Sequence, residues 1–274
     1  MREKEIKKAV RGRYARIAKQ GQESCCPSCG CGASSLLQAK VVGYSGEELE
    51  HIPEESVMGL GCGNPTAIAD LKAGEAVLDL GAGAGVDVFL AANKVGPAGR
   101  VIGIDMTEEM VDKATSIARD HGYHNVEFRL GEIEKLPVDD KSVDAIISNC
   151  VINLSPDKAK VFREAYRALK PGGRLTVSDI VSEEALPAEI KSDSNAWAGC
   201  IGGALEQQEY LREIKEAGFE DVQVLSSKEF YIEGEGSQAL TKLLSITVRA
   251  YKMRKPEYST VGGQVTLPEL GRER

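Results

Sequence analysis

Residues 76–92 read AVLDLGAGAGVDVFLAA. A short apolar run ends in Gly81, Gly83 and Gly85, and a helical pattern of apolar residues follows at once. Such a turn allows tight backbone geometry and lets a ligand approach the main chain, where the first N–H groups of the helix are unpaired. Alone, a G-x-G-x-G also suits a nicotinamide dinucleotide. What surrounds it narrows the choice.

From about residue 66 onward, β-rich runs alternate with helical ones. The apolar pattern predicts strands at Ala76–Leu80, Val101–Asp105, Val126–Leu130, Val143–Ser148 and Arg174–Ser178. Helices are predicted at Val86–Lys94, Glu108–His121 and Asp157–Leu169, with Pro156 at a helix start and Pro171-Gly172-Gly173 as a stop. This alternation implies an α/β fold of parallel strands joined by crossover helices. A further helix, Glu206–Ala217, ends at Gly218. Strands at Val222–Ile232 and Leu243–Met253 follow, close enough in sequence to form an antiparallel hairpin at the sheet edge.

Working outward, Ile6, Val10, Tyr14 and Ile17 mark a basic amphipathic helix whose apolar stripe is expected to pack on the main body. Residues 20–35, rich in Gly, Ser, Pro and Cys, read as a loop. The expected division is an N-terminal helix and Cys-rich cap over 1–65, a cofactor-binding domain over 66–253, and a disordered tail over 254–274. The 274 residues are 42% apolar and 28% charged, as in soluble globular proteins. Neither a membrane-length apolar run nor a secretion signal is present, so the expected compartment is the cytoplasm. The net charge is −8, and the first twenty residues hold eight Lys or Arg against two Glu. The rest is strongly acidic, which argues against a nucleic-acid partner.

Two acidic positions point to a sulfonium cofactor. Asp105, at the end of the second strand, suits ribose hydroxyls. Asp79, two residues before Gly81, would favour an ammonium or sulfonium and repel a pyrophosphate. In LGEIEKLP, Glu132 offers an acceptor for an adenine amino group and Ile133 an apolar wall. With VLDLGAGAG, GIDM, LGEIEKLP, VDAIISN and ALKPGGRL in this order, the stretch from about 66 to 252 resembles the class I S-adenosylmethionine-dependent methyltransferases. The resemblance implies a Rossmann-like sheet of order 3-2-1-4-5-7-6 with strand 7 antiparallel. It implies cofactor contacts at Asp79, Gly81, Ala82, Gly83, Gly85, Asp105, Met106, Gly131, Glu132, Ile133 and Asn149.

The substrate end is poor in bases and rich in soft ligands. His51, His121 and His124 are the only histidines and read as surface residues, and no lysine stands at an obvious site position. Seven cysteines, four of them within residues 25–31, suit metal, metalloid or redox chemistry in a reducing compartment better than a disulfide framework. Cys150 in SNCVINLSP closes the fourth strand, where open α/β folds bind ligands. Cys200 lies in AWAGCIGGAL and Cys62 in GLGCGNP.

These three segments resemble the cysteine motifs of the arsenite S-adenosylmethionine methyltransferases, over nearly the whole chain apart from the tail. The resemblance implies that Cys150 and Cys200 are the principal As(III) ligands, joined by Cys62, and that Cys62 pairs functionally with Cys25 or Cys26. It also implies arsenite, as a thiol conjugate, for substrate and a thioredoxin-type thiol system for reductant. Thiolate-bound As(III) keeps a lone pair, so its methylation needs no general base. Cys26, Cys29 and Cys31 leave a capture or redox loop, a zinc site and incidental thiols all open. This chain has Gly59-Leu60-Gly61 where many relatives place aromatics, so an aromatic wall would come from Tyr14 or Tyr44, and the C-terminal domain of longer relatives is curtailed. The rival readings are a methyltransferase of a quinone or other small organic molecule, and a metalloid-binding protein without catalysis.

Overall fold

The computed structural model describes residues 3–20, 34–233, 240–254, 259–261 and 264–266. Seven strands, β1 (Ala76–Leu80), β2 (Arg100–Asp105), β3 (Val126–Leu130), β4 (Val143–Asn149), β5 (Leu169–Ser182), β6 (Glu220–Glu233) and β7 (Leu240–Tyr251), form one sheet. Their order is β3-β2-β1-β4-β5-β7-β6. The first five run parallel, and β7 is antiparallel to both β5 and β6. Every residue of β1 is buried, as a central strand covered on both faces must be.

Before the sheet come α1 (Glu3–Gln20), α2 (Ser35–Val42), α3 (Gly46–Glu50) and α4 (Pro65–Ile68). Then follow α5 (Val86–Val95), α6 (Glu108–Asp120), α7 (Lys158–Ala168), the short α8 (Ala188–Ser192) and α9 (Ser194–Ala198), and α10 (Gln207–Glu216). The start of α7 lies two residues beyond Pro156, because Asp157 caps it by accepting the Lys160 N–H at 2.9 Å. One sheet face packs Leu78, Leu80 and Ile146 against Phe162, Tyr210 and Ile214 from α7 and α10. The other packs Val77, Val101 and Ile147 against Val88, Ala92 and Val95 of α5.

The expected stop at Pro171-Gly172-Gly173 is instead carried within β5, which begins at Leu169. Gly172 bends there at φ 87, its N–H reaching the Lys252 carbonyl while the Gly173 carbonyl accepts from Lys252. The register against β4 shifts between Val143 and Ala145 to absorb the bend. In the tail, β8 (Ser259–Val261) and β9 (Gln264–Thr266) pair antiparallel; apart from Arg254, its other residues lie outside the described ones.

The amphipathic α1 lies over the carboxyl edge of the sheet. Ile6 and Val10 are buried with Cys150, Leu154 and Cys200. Its basic face is tied down by Lys7 to Glu132 at 2.9 Å and to Glu134 at 3.1 Å, and by Lys19 to Glu109 at 2.8 Å. None of the described helices is long and apolar enough to cross a membrane.

A buried clip joins the entry to β1 with β5. The Arg174 guanidinium donates to both oxygens of Glu75, at 2.8 and 2.7 Å, and to the carbonyls of Ala69 and Asp70. Burial would raise the Glu75 carboxyl, but the guanidinium and the Lys72 N–H outweigh it and hold the group below 4.5. The stabilisation is therefore complete above the ordinary carboxylate range and is lost as acid protonates Glu75. Arg174→Met should cost about 3 kcal/mol in urea unfolding at pH 7, and the gap between the two proteins should narrow as the pH is lowered below the unfolded Glu75 value; a constant gap would remove the ion pair as its cause.

Candidate active site

A cavity opens at the carboxyl ends of β1, β2 and β4, between the glycine turn and α1. Gly81, at φ 69, makes room for it: a Cβ there would stand 2.3 Å from the Val151 side chain. The Gly83 N–H donates to Asp105 at 3.0 Å, and Thr107 N–H holds the other Asp105 oxygen at 2.8 Å. Burial raises Asp105 above 3.8 against the pull of these bonds.

Four carboxylates, Asp79, Asp87, Asp105 and Glu134, line this space, and charge decides what it suits. Burial, with Asp87 and Asp105 nearby, pushes Asp79 well above 3.8. Asp87 differs in accepting hydrogen bonds from Thr66 Oγ1 at 2.7 Å, the Tyr44 hydroxyl at 2.9 Å and Asn149 at 3.2 Å. Lys7, the one described basic residue in the wall, is already paired with Glu132 and Glu134. A buried group of like charges favours a cationic guest and disfavours a pyrophosphate.

Most of the sequence-predicted cofactor residues meet here. Asp79, Gly81, Ala82, Gly83, Asp105, Met106, Gly131, Ile133 and Asn149 all line the cavity. Gly85 and Glu132 do not. Gly85 caps α5, and a Cβ on it would strike Phe89 and Phe128. Glu132 turns outward to Lys7 and Arg11, while the buried Glu134, two residues on, lines the wall and accepts from Ser155 Oγ at 2.6 Å. Tyr14 and Tyr44 both reach the cavity, as an aromatic wall requires.

Cys150 alone of the three cysteines lines the cavity, and the thiols of Cys62 and Cys200 approach it from behind the wall. Cys150 follows β4 directly and Cys200 follows α9, at φ 58 and φ 63, left-handed values that cost a non-glycine residue about 1–3 kcal/mol. The Cys200 thiol donates to the Cys150 carbonyl at 2.8 Å. Asn149 fixes the third sulfur by accepting from the Cys62 and Gly63 N–H groups at 3.1 and 3.3 Å and donating to the Gly63 carbonyl at 2.8 Å. The glycines flanking Cys62 permit this approach, since a Cβ on Gly61 would stand 2.6 Å from Asn149 and one on Gly63 2.7 Å from Ser178. Hydrogen bonds to Cys200 and Cys62, with burial, raise Cys150 well above 9. Cys62 is raised less: its hydrogen bond with Cys150 favours the thiolate, against burial and the Asp179 charge. Cys25, Cys26, Cys29 and Cys31 lie outside the described residues.

The expectation of a site without lysine or another base is corrected by two buried groups. Asp179 stands near the thiol pair, one carboxylate oxygen lying within 4.8 Å of both Cys62 Sγ and Cys150 Sγ. Burial raises it to about 7. Lys158 sits beside Asp179 and Cys200, donates to the Ser155 carbonyl at 2.9 Å and stands 5.4 Å above the Trp197 ring; burial lowers it to about 8. In sequence, an aspartate inside the apolar run RLTVSDIVS was the available signal for Asp179. Lys158, on a helix of ordinary charge pattern, carried none.

Sheet order, glycine turn and acidic cavity define a methyltransferase scaffold, and a family model described as a methyltransferase domain matches residues 71–218. The arsenite methyltransferase of Halobacterium salinarum is 42% identical over 90% of this chain and 67% of its own, and that of Mus musculus 35% identical over 92% and 69%. The crystal structure of an arsenic(III) S-adenosylmethionine methyltransferase from Chlamydomonas reinhardtii is 37% identical, with a TM-score of 0.64, covering 80% of this chain and 75% of that one. The chain belongs to the arsenite methyltransferase family and spans about two thirds of the length of these curated relatives. The family's cofactor is S-adenosylmethionine, and the cavity fits it: the Asp79 carboxylate suits a cationic methionine end, and Gly83 leaves open space where a side chain would stand.

Asn149→Ala should free the Cys62 loop and strip partners from Tyr44 and Asp87, costing about 1–3 kcal/mol. Timed alkylation read by mass spectrometry should find Cys62 modified several-fold faster than in the parent; an unchanged rate would mean that Asn149 does not hold the loop.

Proposed function

We propose that this chain transfers the methyl group of S-adenosylmethionine to As(III) held as a thiolate complex by Cys62, Cys150 and Cys200. The observation that carries this reading is the convergence, beside an acidic cofactor cavity, of thiols from three separate segments, with Cys150 touching both others. As(III) is soft and prefers sulfur. Bound S-adenosylmethionine supplies an electrophilic methyl group on a sulfonium.

The protein's residues bind and orient. Asp79 stabilises positive charge at the methionine end, Asp105 accepts from ribose hydroxyls, and Met106, Gly131 and Ile133 shape the adenine end. The cysteines hold arsenic with its lone pair toward the cavity. Productive transfer needs the reacting atoms about 3–3.5 Å apart. Residues 1–65 act as a cap, a role supported by Val10, Tyr14 and Tyr44 in the cavity wall.

Methylation formally oxidises As(III) by two electrons. In this reading Cys62 and either Cys25 or Cys26 return them by closing a disulfide with loss of two protons, and an external thiol system such as thioredoxin reopens it. Reduced Cys62, Cys150 and Cys200 fit a cytoplasmic setting.

With arsenite, labelled S-adenosylmethionine and a thiol reductant, the chain should form methylated arsenicals. Cys150→Ser and Cys200→Ser should lose at least about two orders of magnitude in rate, as removal of a group used in the transition state does, while still binding the cofactor by equilibrium dialysis. Arsenite bound without consumption of the donor would leave only a metalloid-binding protein; methylation of an organic acceptor without thiol dependence would favour a small-molecule methyltransferase.

A single turnover without reductant should leave Cys62 disulfide-linked to Cys25 or Cys26 in peptide maps. Cys62 recovered as a free thiol after product has formed would assign the electrons elsewhere.

A further inference from the structure

A carboxylate beside one buried and one half-buried thiol is not explained by arsenite, which takes sulfur. Cys62 Sγ, Cys150 Sγ and an Asp179 oxygen lie within 4.8 Å of one another. We propose that these three groups form a site for a thiophilic divalent cation, zinc being the probe, sharing two sulfurs with the arsenite site and differing from it by Asp179. Two thiolates and one carboxylate are a donor set that zinc accepts, and a soft trivalent arsenic would leave the oxygen unused.

The surroundings of Asp179 are those of a ligating carboxylate. It is fully buried and oriented by the Ile180 N–H at 3.0 Å, the Asn153 N–H at 3.2 Å and the Tyr210 hydroxyl at 3.2 Å. Metal-ligating carboxylates are held by just such outer hydrogen bonds. Charge also balances. Two thiolates and a carboxylate carry three negative charges, which a divalent ion and the buried Lys158 ammonium neutralise without help from solvent. The two thiol protons, with any proton held on Asp179, leave to solvent on binding, and no oxidation state changes.

Cys200 is tied to the Cys150 carbonyl and stands outside the 4.8 Å group. The site therefore has three protein ligands and, among the described residues, no fourth His, Cys, Asp or Glu, the count of an exchangeable rather than a closed structural zinc site. Arsenite and the cation exclude one another because both need Cys62 and Cys150. Only that competition rests on the arsenite reading; binding of the ion alone does not.

The test uses the full chain with Cys25, Cys26, Cys29 and Cys31 replaced by Ser, reduced and anaerobic, without arsenite or S-adenosylmethionine. Zinc is titrated against a chromophoric chelator. One ion per chain is expected, Cys150→Ser should abolish binding, and Asp179→Asn should weaken it by at least about tenfold. X-ray absorption at the zinc edge of the Asp179-containing chain should show two sulfur donors with oxygen completing the shell, and this measurement decides the matter if Asp179→Asn fails to fold. Binding by Asp179→Asn within twofold of its parent, absence of a stoichiometric ion, or a shell of three or more sulfurs would overturn the proposal.

Discussion

At the carboxyl end of β4 the chain holds Cys150 in a left-handed conformation, with its N–H on the Ser178 carbonyl of β5 and its own carbonyl receiving the Cys200 thiol. That single residue joins the two halves of the site. The preceding Asn149 reaches back to the Cys62 loop and to Asp87 at the cofactor end, so two consecutive residues set the distance between thiols and cavity. The unfavourable backbone persists because the surrounding hydrogen bonds over-determine it, and strain of this kind concentrates where function fixes geometry.

Electrostatics divide the site into two compartments. The cofactor end holds Asp79, Asp87 and Asp105 and suits a cation. The thiol end holds Asp179 balanced by Lys158, and there hydrogen bonds to Cys200 and Cys62, with burial, keep the Cys150 thiol protonated. The polar network of Tyr44, Asp87 and Asn149 lies between them and is nearly saturated with hydrogen bonds, which makes it a rigid wall. The α1 helix spans both ends, bringing Lys7 to Glu132 and Glu134 and Tyr14 to Cys200, with whose thiol the Tyr14 hydroxyl is hydrogen-bonded.

Much of this was legible in the sequence because it depends on local signals. Period and punctuation placed β1 to β4 and α5 to α7 within a few residues, and the odd, clustered cysteines announced soft chemistry. The position of β7 between β5 and β6 came from family resemblance, since periodicity predicts a hairpin but not where it inserts. What escaped depends on tertiary direction. Glu132 and Glu134 are equivalent as sequence acceptors, and Lys7 of α1 reaches both, but only Glu134 is buried against Ser155. Lys158 acquires its character solely from burial near Asp179 and Cys200, and the stop expected at Pro171-Gly172-Gly173 failed because Lys252, the residue after β7, supplies the partners that continue the strand.

The most direct test of the central claim is X-ray absorption at the arsenic edge of the arsenite-loaded, reduced chain in which Cys25, Cys26, Cys29 and Cys31 are Ser. Convergence of Cys62, Cys150 and Cys200 requires one arsenic per chain with three sulfur neighbours and no oxygen. An arsenic that retains oxygen in its shell, or that keeps the same shell when Cys150 is replaced by Ser, would contradict it.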